Sequence, residues 1–205
     1  MPVSVHPQTH ITTAEISTSN VQEAIRTVSA CFSHEQCKDD ISNVYHNYAH
    51  GIRRMESFGQ DVSLLRYEAL LRGSKLLGAG GIYRVNGDSP YVTWLGWLGV
   101  DPSVQGQGYG AILLRRIFML GEQFNSRELR VYTPAHLTEY ARCRAVYKHL
   151  GFLRQPEHDF KRVVEGDEVE EYLLVKPLPE STVSSLADVS FKNGSRDPST
   201  SRSAD

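Results

Sequence analysis

Little in this chain is extreme, and its shortages narrow what it can be. Cysteine occurs three times in 205 residues, at Cys31, Cys37 and Cys143, with no Cys-x-x-Cys spacing. Neither a disulfide framework nor a zinc site is indicated, and no metal is expected. An excess of one charge is missing too: 22 Lys and Arg stand against 24 Asp and Glu, a net charge of −2. No basic surface for nucleic acid follows from that balance. Apolar runs fall far short of the roughly twenty residues that cross a bilayer, so no membrane partner is expected. Met1 to His10 lacks a charged head followed by an apolar signal core, and the expected compartment is the cytoplasm.

What is present suits one soluble core. Apolar residues make up 40% of the chain, which is ordinary for a globular domain of this length. Ile11 to Thr18 reads as a short β-like segment. Asn20 to Phe32 reads as a helix through Val21, Ala24, Ile25 and Val28, and a second helical stretch runs from Glu35 to Met55. Leu64 to Leu71 and Lys75 to Val85 read as strands around the turn Arg72-Gly73-Ser74, and Asn86-Gly87-Asp88 turns into a third strand, Tyr91 to Val100. Further on come a helix from Ala111 to Leu120, a strand from Glu128 to Tyr132 and a helix from Leu137 to Leu150. A hairpin, Phe160 to Val164 and Val169 to Leu174, turns at Glu165-Gly166-Asp167. No repeat is visible. The expected domain spans residues 1–178, and 179–205 is a Ser-rich tail too poor in large apolar side chains to offset chain ordering.

One segment carries chemistry. Leu98-Gly99-Val100-Asp101-Pro102-Ser103-Val104 ends a strand, Gln105-Gly106-Gln107-Gly108-Tyr109-Gly110 is glycine-rich, and Ala111-Ile112-Leu113-Leu114 opens a helix. Glycines at that junction let the chain curl and turn several backbone N–H groups toward one point before the helix N-terminus. Those donors, with the helix dipole adding roughly 0.3–1 kcal/mol, favour an anion such as a diphosphate. A Walker A loop needs Lys and then Ser or Thr after its last glycine, where this chain has Ala111-Ile112. The dinucleotide fingerprint Gly-x-Gly-x-x-Gly is also absent, because Gly108 and Gly110 are one residue too close.

An apolar strand ending in Val-Asp-Pro, then Gln-x-x-Gly-x-Gly, resembles the acyl-CoA-binding motif of the GCN5-related N-acetyltransferase (GNAT) superfamily. A second segment agrees: Cys143-Arg144-Ala145-Val146-Tyr147-Lys148-His149-Leu150-Gly151-Phe152 is similar to the family's Ala-x-x-x-Tyr-x-x-x-Gly-Phe helix, with Cys143 as its small first residue. Tyr140 stands where relatives often place an Asn. The resemblance covers roughly residues 10 to 176. It implies an α/β fold: a mixed, mostly antiparallel central sheet flanked by helices, whose central strands splay to form the acyl-CoA cleft. It also implies a contact set of Leu98, Gly99, Val100, Gln105, Gly106, Gln107, Gly108, Tyr109, Gly110 and Ala111. Backbone groups of Leu98 and Val100 would pair with pantetheine amides, and the amides from Gln105 onward would hold the pyrophosphate.

The implied reaction is direct attack of an amine on the acetyl-CoA thioester. Freeing the lone pair of an alkylamine with a pKa of about 10.4 costs roughly 4–5 kcal/mol at pH 7, and protonating a departing thiolate with a pKa of about 8.5 recovers about 2. Tyr147 is the expected general acid. The strand before the loop carries no carboxylate, so the base is sought elsewhere: Glu68 on an earlier strand first, then His136, His46 and His50. His46 and His50 lie one helical turn apart, a spacing for a metal pair without an evident third ligand. Arg53 and Arg54 read as a solvated face. Strand alternation places Trp94 and Trp97 on opposite faces, one toward an acceptor pocket and one toward the core. The expected activity is N-acetylation of a small-molecule amine. Acetylation of a protein N-terminus or lysine, a non-catalytic acyl-CoA sensor and assembly as a homodimer stay open.

Overall fold

The structure is a computed structural model that describes residues 10–57, 59–135, 140–164 and 166–179. In chain order the elements are β1 (Ile11–Glu15), α1 (Val21–Ser29), α2 (Glu35–Ala49), β2 (Arg54–Ser57), β3 (Gln60–Arg72), β4 (Lys75–Val85), β5 (Val92–Leu95) and β6 (Gly99–Val100). After them come α3 (Tyr109–Gln123), β7 (Glu128–Pro134), α4 (Ala141–His149), β8 (Leu153–Arg154), β9 (Phe160–Val164) and β10 (Asp167–Pro177). The expected tail beyond Pro179 lies outside the described residues, as do His136, Leu137 and Glu165. Among the described residues no helix is long and apolar enough to cross a membrane.

One sheet organises the chain in the order β1-β3-β4-β5-β7-β10-β8, with β2 beside β3, β6 beside β4 and β9 beside β10. Every pairing is antiparallel except β5 with β7. The centre is β4, buried continuously from Leu76 to Ile82 because helices cover both faces. On one face α1 and α2 pack through Val21, Ala24, Val28, Ile41, Val44, Tyr45 and Tyr48 against Val62, Leu64, Tyr67, Ala69 and Ala79. On the other, α3 and α4 pack through Leu114, Ile117, Leu120 and Tyr147 against Ile82, Leu95, Leu129, Val131 and Leu174. Both helical stripes follow the i, i+3, i+4 spacing visible in the sequence.

The structure redraws three boundaries. The second helix stops at Ala49 instead of running to Met55, because Met55 belongs to β2 and pairs with Val62 of β3. That pairing also extends β3 back to Gln60. The expected single strand from Tyr91 to Val100 is two, β5 and β6, with an irregular Gly96-Trp97-Leu98 between them. The β3–β4 turn falls where the sequence placed it, with Arg72 opposite Lys75.

Candidate active site

The cleft forms where two strands part. β5 runs parallel to β7 from Val92 beside Glu128 to Trp94 beside Arg130, and there the ladder ends. Beyond it β6 stays on β4 while β7 stays on β10 as far as Pro134 beside Glu171. The opening belongs to a cleft of about 670 Å³ whose lining includes Leu95, Gly96, Trp97 and Leu98 on one side and Val131, Tyr132, Thr133 and Pro134 on the other.

A β-bulge shapes the first of those walls. Leu95 stands opposite Ile82, and the Gly96 N–H donates to the Gly81 carbonyl at 2.8 Å. Gly99, however, stands opposite Ala79, so Trp97 and Leu98 together face Gly80 and the strand carries one extra residue. The extra residue overturns the alternation argument for the tryptophans. Trp94 stands opposite Tyr83, which joins the α1–α2 core; Trp97 packs on that same core, so both indoles lie on one face. Three contacts pin the bulge. The Tyr45 hydroxyl donates to the Trp97 carbonyl at 2.9 Å, the Trp97 indole N–H donates to Asp40 Oδ2 at 2.5 Å, and the Phe32 ring meets the indole edge-on at 4.9 Å. Gly96 is required here, since a Cβ would lie 2.1 Å from the Tyr67 hydroxyl.

After the bulge, the Asp101 N–H donates to the Leu77 carbonyl at 2.8 Å, toward β4. By alternation the peptide groups of Val100 point the other way, into the opening. The Val100 carbonyl accepts from Gln105 Nε2 at 3.0 Å and from the Cys31 thiol at 3.3 Å. Asp101 caps a short turn, Pro102–Val104, by accepting from the Ser103 N–H at 2.8 Å. The glycine loop then leads into α3, with Gly106 at φ 79° and Gly108 at φ 86°. Gly108 is the N-cap of this 15-residue helix, and its carbonyl accepts from Ala111 at 3.1 Å and Ile112 at 3.2 Å. Among the described residues no hydrogen bond is made by the N–H groups of Gly106, Gln107, Gly108, Tyr109 or Gly110. Nothing lies within 4 Å of where a Cβ would stand on Gly106 or Gly108. Five consecutive N–H groups without a hydrogen-bond partner among the described residues thus stand at the positive end of a helix, with open space beside Gly106 and Gly108, an arrangement that suits an anion. Ala111 is already spoken for by Gly108.

Tyr147 comes to the cleft from the opposite face. It projects from α4, packs on Phe152 at 5.2 Å between ring centres, and is 9% exposed. Its hydroxyl has no hydrogen-bond partner among the described residues. Burial, with a smaller contribution from the neighbouring Cys143, pushes its pKa far above the ordinary phenol value, so it stays protonated. Leu98, Trp97 and Tyr147 line the one cleft.

Glu68 does not join them. It points from β3 toward α3, is 2% exposed, and receives Arg116 Nε at 2.6 Å, Arg116 Nη2 at 2.8 Å and Arg66 Nε at 3.2 Å. Burial pushes its carboxyl up, but the two guanidinium groups outweigh that and hold its pKa below the ordinary value. A carboxylate so clamped, and absent from the cleft lining, holds β3 to α3 instead of taking protons. His46 and His50 also lie away from the cleft. Their rings are 6.0 Å apart, with His46 against Gln22 at 3.2 Å and His50 against the His46 carbonyl at 2.8 Å. Among the described residues no cluster of three His, Cys, Asp or Glu side chains accompanies them. His136 lies outside the described residues. Arg54 is solvated and pairs with Asp61, while Arg53 donates to the Tyr48 carbonyl at 2.5 Å and stacks over its ring.

The cleft also gathers residues that no spacing singled out: Asp40 from α2, Tyr67 from β3, Tyr83 from β4, Tyr132 from β7 and Glu171 from β10. Asp40 sits on the polar side of an amphipathic helix and looks solvated in the sequence. Glu171 is a buried charge within a run of glutamates, Glu168, Glu170 and Glu171.

A strand, a glycine cradle at a helix N-terminus and a tyrosine facing the split between two strands describe an acyl-CoA transferase. Residues 31–152 match the model of the acetyltransferase (GNAT) family, and the chain belongs to that family. The fold agrees with solved structures at low identity. A GNAT-family protein from Desulfovibrio desulfuricans is 14% identical with a TM-score of 0.65, over 83% of this chain and 100% of that one. The ribosomal-protein-S18-alanine N-acetyltransferase from Escherichia coli is 17% identical with a TM-score of 0.58, over 82% and 94%. The yncA protein from Salmonella typhimurium, solved with its cofactor acetyl-CoA, is 13% identical with a TM-score of 0.61, over 83% and 95%. No curated protein matches the sequence.

Proposed function

We propose that this enzyme transfers the acetyl group of acetyl-CoA to the primary amine of a small molecule, by direct attack in a ternary complex. The observation that carries the reading is the row of five unpartnered N–H groups from Gly106 to Gly110 at the head of α3. They hold the pyrophosphate. The pantetheine arm lies along Leu98, Gly99 and Val100 in the gap left by β7, and brings the thioester to the bulge. The amine approaches from the α1–α2 face, past Trp97 and Tyr132. Its nitrogen bonds to the acetyl carbon, the carbon–sulfur bond breaks, and the sulfur takes the proton of the Tyr147 hydroxyl from the α4 face. Tyr147 then regains a proton from water, and the nitrogen sheds its own to the open cleft. Positioning two reactants across a split sheet supplies much of the acceleration, while the backbone N–H of Val100 is placed to polarise the carbonyl.

A second reading, acetylation of a protein N-terminus, is favoured by one observation: the Escherichia coli neighbour is named for a ribosomal-protein alanine. One experiment tests both. Thermal unfolding is followed with and without CoA, and thiol release from acetyl-CoA is measured with small amines and with peptides bearing free N-termini. Stabilisation by CoA with amine-dependent thiol release is expected. Stabilisation without turnover on any amine would replace the enzyme reading by an acyl-CoA sensor, and faster turnover on peptides would move the acceptor to protein.

A further inference from the structure

Resting on the acetyltransferase reading, we propose that Thr133 is a second catalytic residue, whose hydroxyl donates a hydrogen bond to the sulfur of CoA as the carbon–sulfur bond breaks. Thr133 is 3% exposed, lines the cleft, and its side chain makes no hydrogen bond among the described residues. The side-chain atoms sealed from solvent without a partner there are Arg84 Nε, Ser126 Oγ and Arg130 Nε. Thr133 Oγ1 is not one of them, so it opens into the cleft it lines. A buried hydroxyl left without a partner costs free energy, and this one is placed for a ligand atom to satisfy.

Register and face say which atom that is. The β5–β7 ladder ends at Trp94 beside Arg130, and three residues further along each strand Thr133 comes level with the bulge at Trp97 and Leu98, where the pantetheine arm ends. Burial alternates along β7 through Leu129, Val131 and Thr133, and the first two pack in the core that holds Tyr147. Thr133 therefore stands on the α3–α4 face, the side from which the sulfur is protonated. Tyr147 needs that help. Burial raises its pKa above the ordinary phenol value, whereas a departing thiolate has a pKa of about 8.5, so the proton moves uphill. The amine nitrogen bonds to the acetyl carbon and the electron pair of the carbon–sulfur bond goes to the sulfur. Thr133 stabilises that charge without giving up its own proton, until the Tyr147 proton arrives; a neutral donor to a charged acceptor makes one of the stronger hydrogen bonds.

The test uses the full chain with CoA and with desulfo-CoA, whose difference in ultraviolet absorbance across a pH titration reports the bound thiol and cancels the protein's own cysteines and tyrosines. Thr133→Val keeps the side chain's shape and breaks no hydrogen bond of the free protein. In it the bound thiol should titrate about one pH unit higher, a tenfold loss of thiolate at a given pH, while desulfo-CoA affinity and the melting temperature hold. With the amine or peptide that releases thiol fastest from acetyl-CoA, kcat should fall by about tenfold at unchanged KM for acetyl-CoA. Thr133→Ser should restore both readings, and Thr133→Ala carries the same measurements if the valine variant does not fold. A thiol titration or a kcat that Thr133→Val leaves unmoved overturns the assignment, as does an equal loss of desulfo-CoA affinity, which marks a packing role; the acetyltransferase stays intact in each case. Stabilisation by CoA without transfer to any amine or peptide removes the reading on which it rests.

Discussion

Gly108→Val separates the two things the glycine loop does, because their costs fall on different measurements. At φ 86° Gly108 holds a backbone conformation that side-chain-bearing residues adopt at a cost of roughly 1–2 kcal/mol, more when β-branched. No protein atom lies within 4 Å of the new Cβ, so no clash adds to that strain. The melting temperature should fall by about 3–8 °C, using the usual conversion for a domain of this size. Ligand binding should suffer more. The added methyls stand in open space among the unpartnered amides of residues 106–110, and displacing a phosphate from two of those amides would remove charge-assisted hydrogen bonds worth about 1.5–3 kcal/mol each. CoA affinity should drop a hundredfold or more. Calorimetric titration with CoA and with pantetheine, which lacks the pyrophosphate, isolates the effect. The wild type should prefer CoA strongly, and in Gly108→Val that preference should collapse while pantetheine binding barely changes. A variant that binds CoA normally would refute the placement of the pyrophosphate.

Three further perturbations follow from the site and its surroundings. Tyr147→Phe should leave CoA binding intact and lower kcat by about tenfold or more, since it removes the proposed acid and only a hydroxyl. Because burial raises the Tyr147 pKa, wild-type kcat/KM should climb with pH toward the pKa of the amine with no descending limb below about pH 10; a fall between pH 8 and 9 would count against Tyr147 as the acid. Glu68→Gln breaks a buried ion pair with Arg116 and should cost about 2–3 kcal/mol at pH 7. The pKa of Glu68 is lowered in the folded state, so its stabilisation is present above the unfolded value near 4.3 and lost as pH falls through the folded one. Urea midpoints of wild type and variant should therefore converge toward pH 3, and a constant gap would show that the charge is not what matters. Gly96→Ala puts a Cβ 2.1 Å from the Tyr67 hydroxyl, an overpacking worth about 1–3 kcal/mol. Adding Tyr67→Phe should recover part of that loss, a coupling that denaturant unfolding of the four proteins would measure.

The backbone of the proposed donor site was legible in the sequence and the side chains gathered in the cleft were not, for a physical reason. Holding a pyrophosphate is backbone work, so its signature is local: glycines at 106, 108 and 110 between an apolar strand and an apolar helix. Tyr147 was legible through the small residue and Gly-Phe around it. The rest of the cleft is assembled from single side chains on α2, β3, β5–β6 and β10, and each looks ordinary in its own element. Asp40 reads as a solvated helix residue until Trp97 reaches it. Trp97 in turn reaches it only because one extra residue opposite Gly80 reverses the face that simple alternation assigns. Glu68, expected as a base, is instead held away from the cleft lining by Arg116, 48 positions along the chain, a pair that no local pattern announces. The bulge is therefore the joint between the halves. It turns Trp97 toward Asp40 and Tyr45, leaves the peptide groups of Val100 facing the split, and seats the Tyr67 hydroxyl beneath Gly96, so a change of register there should disturb both sides of the proposed site together.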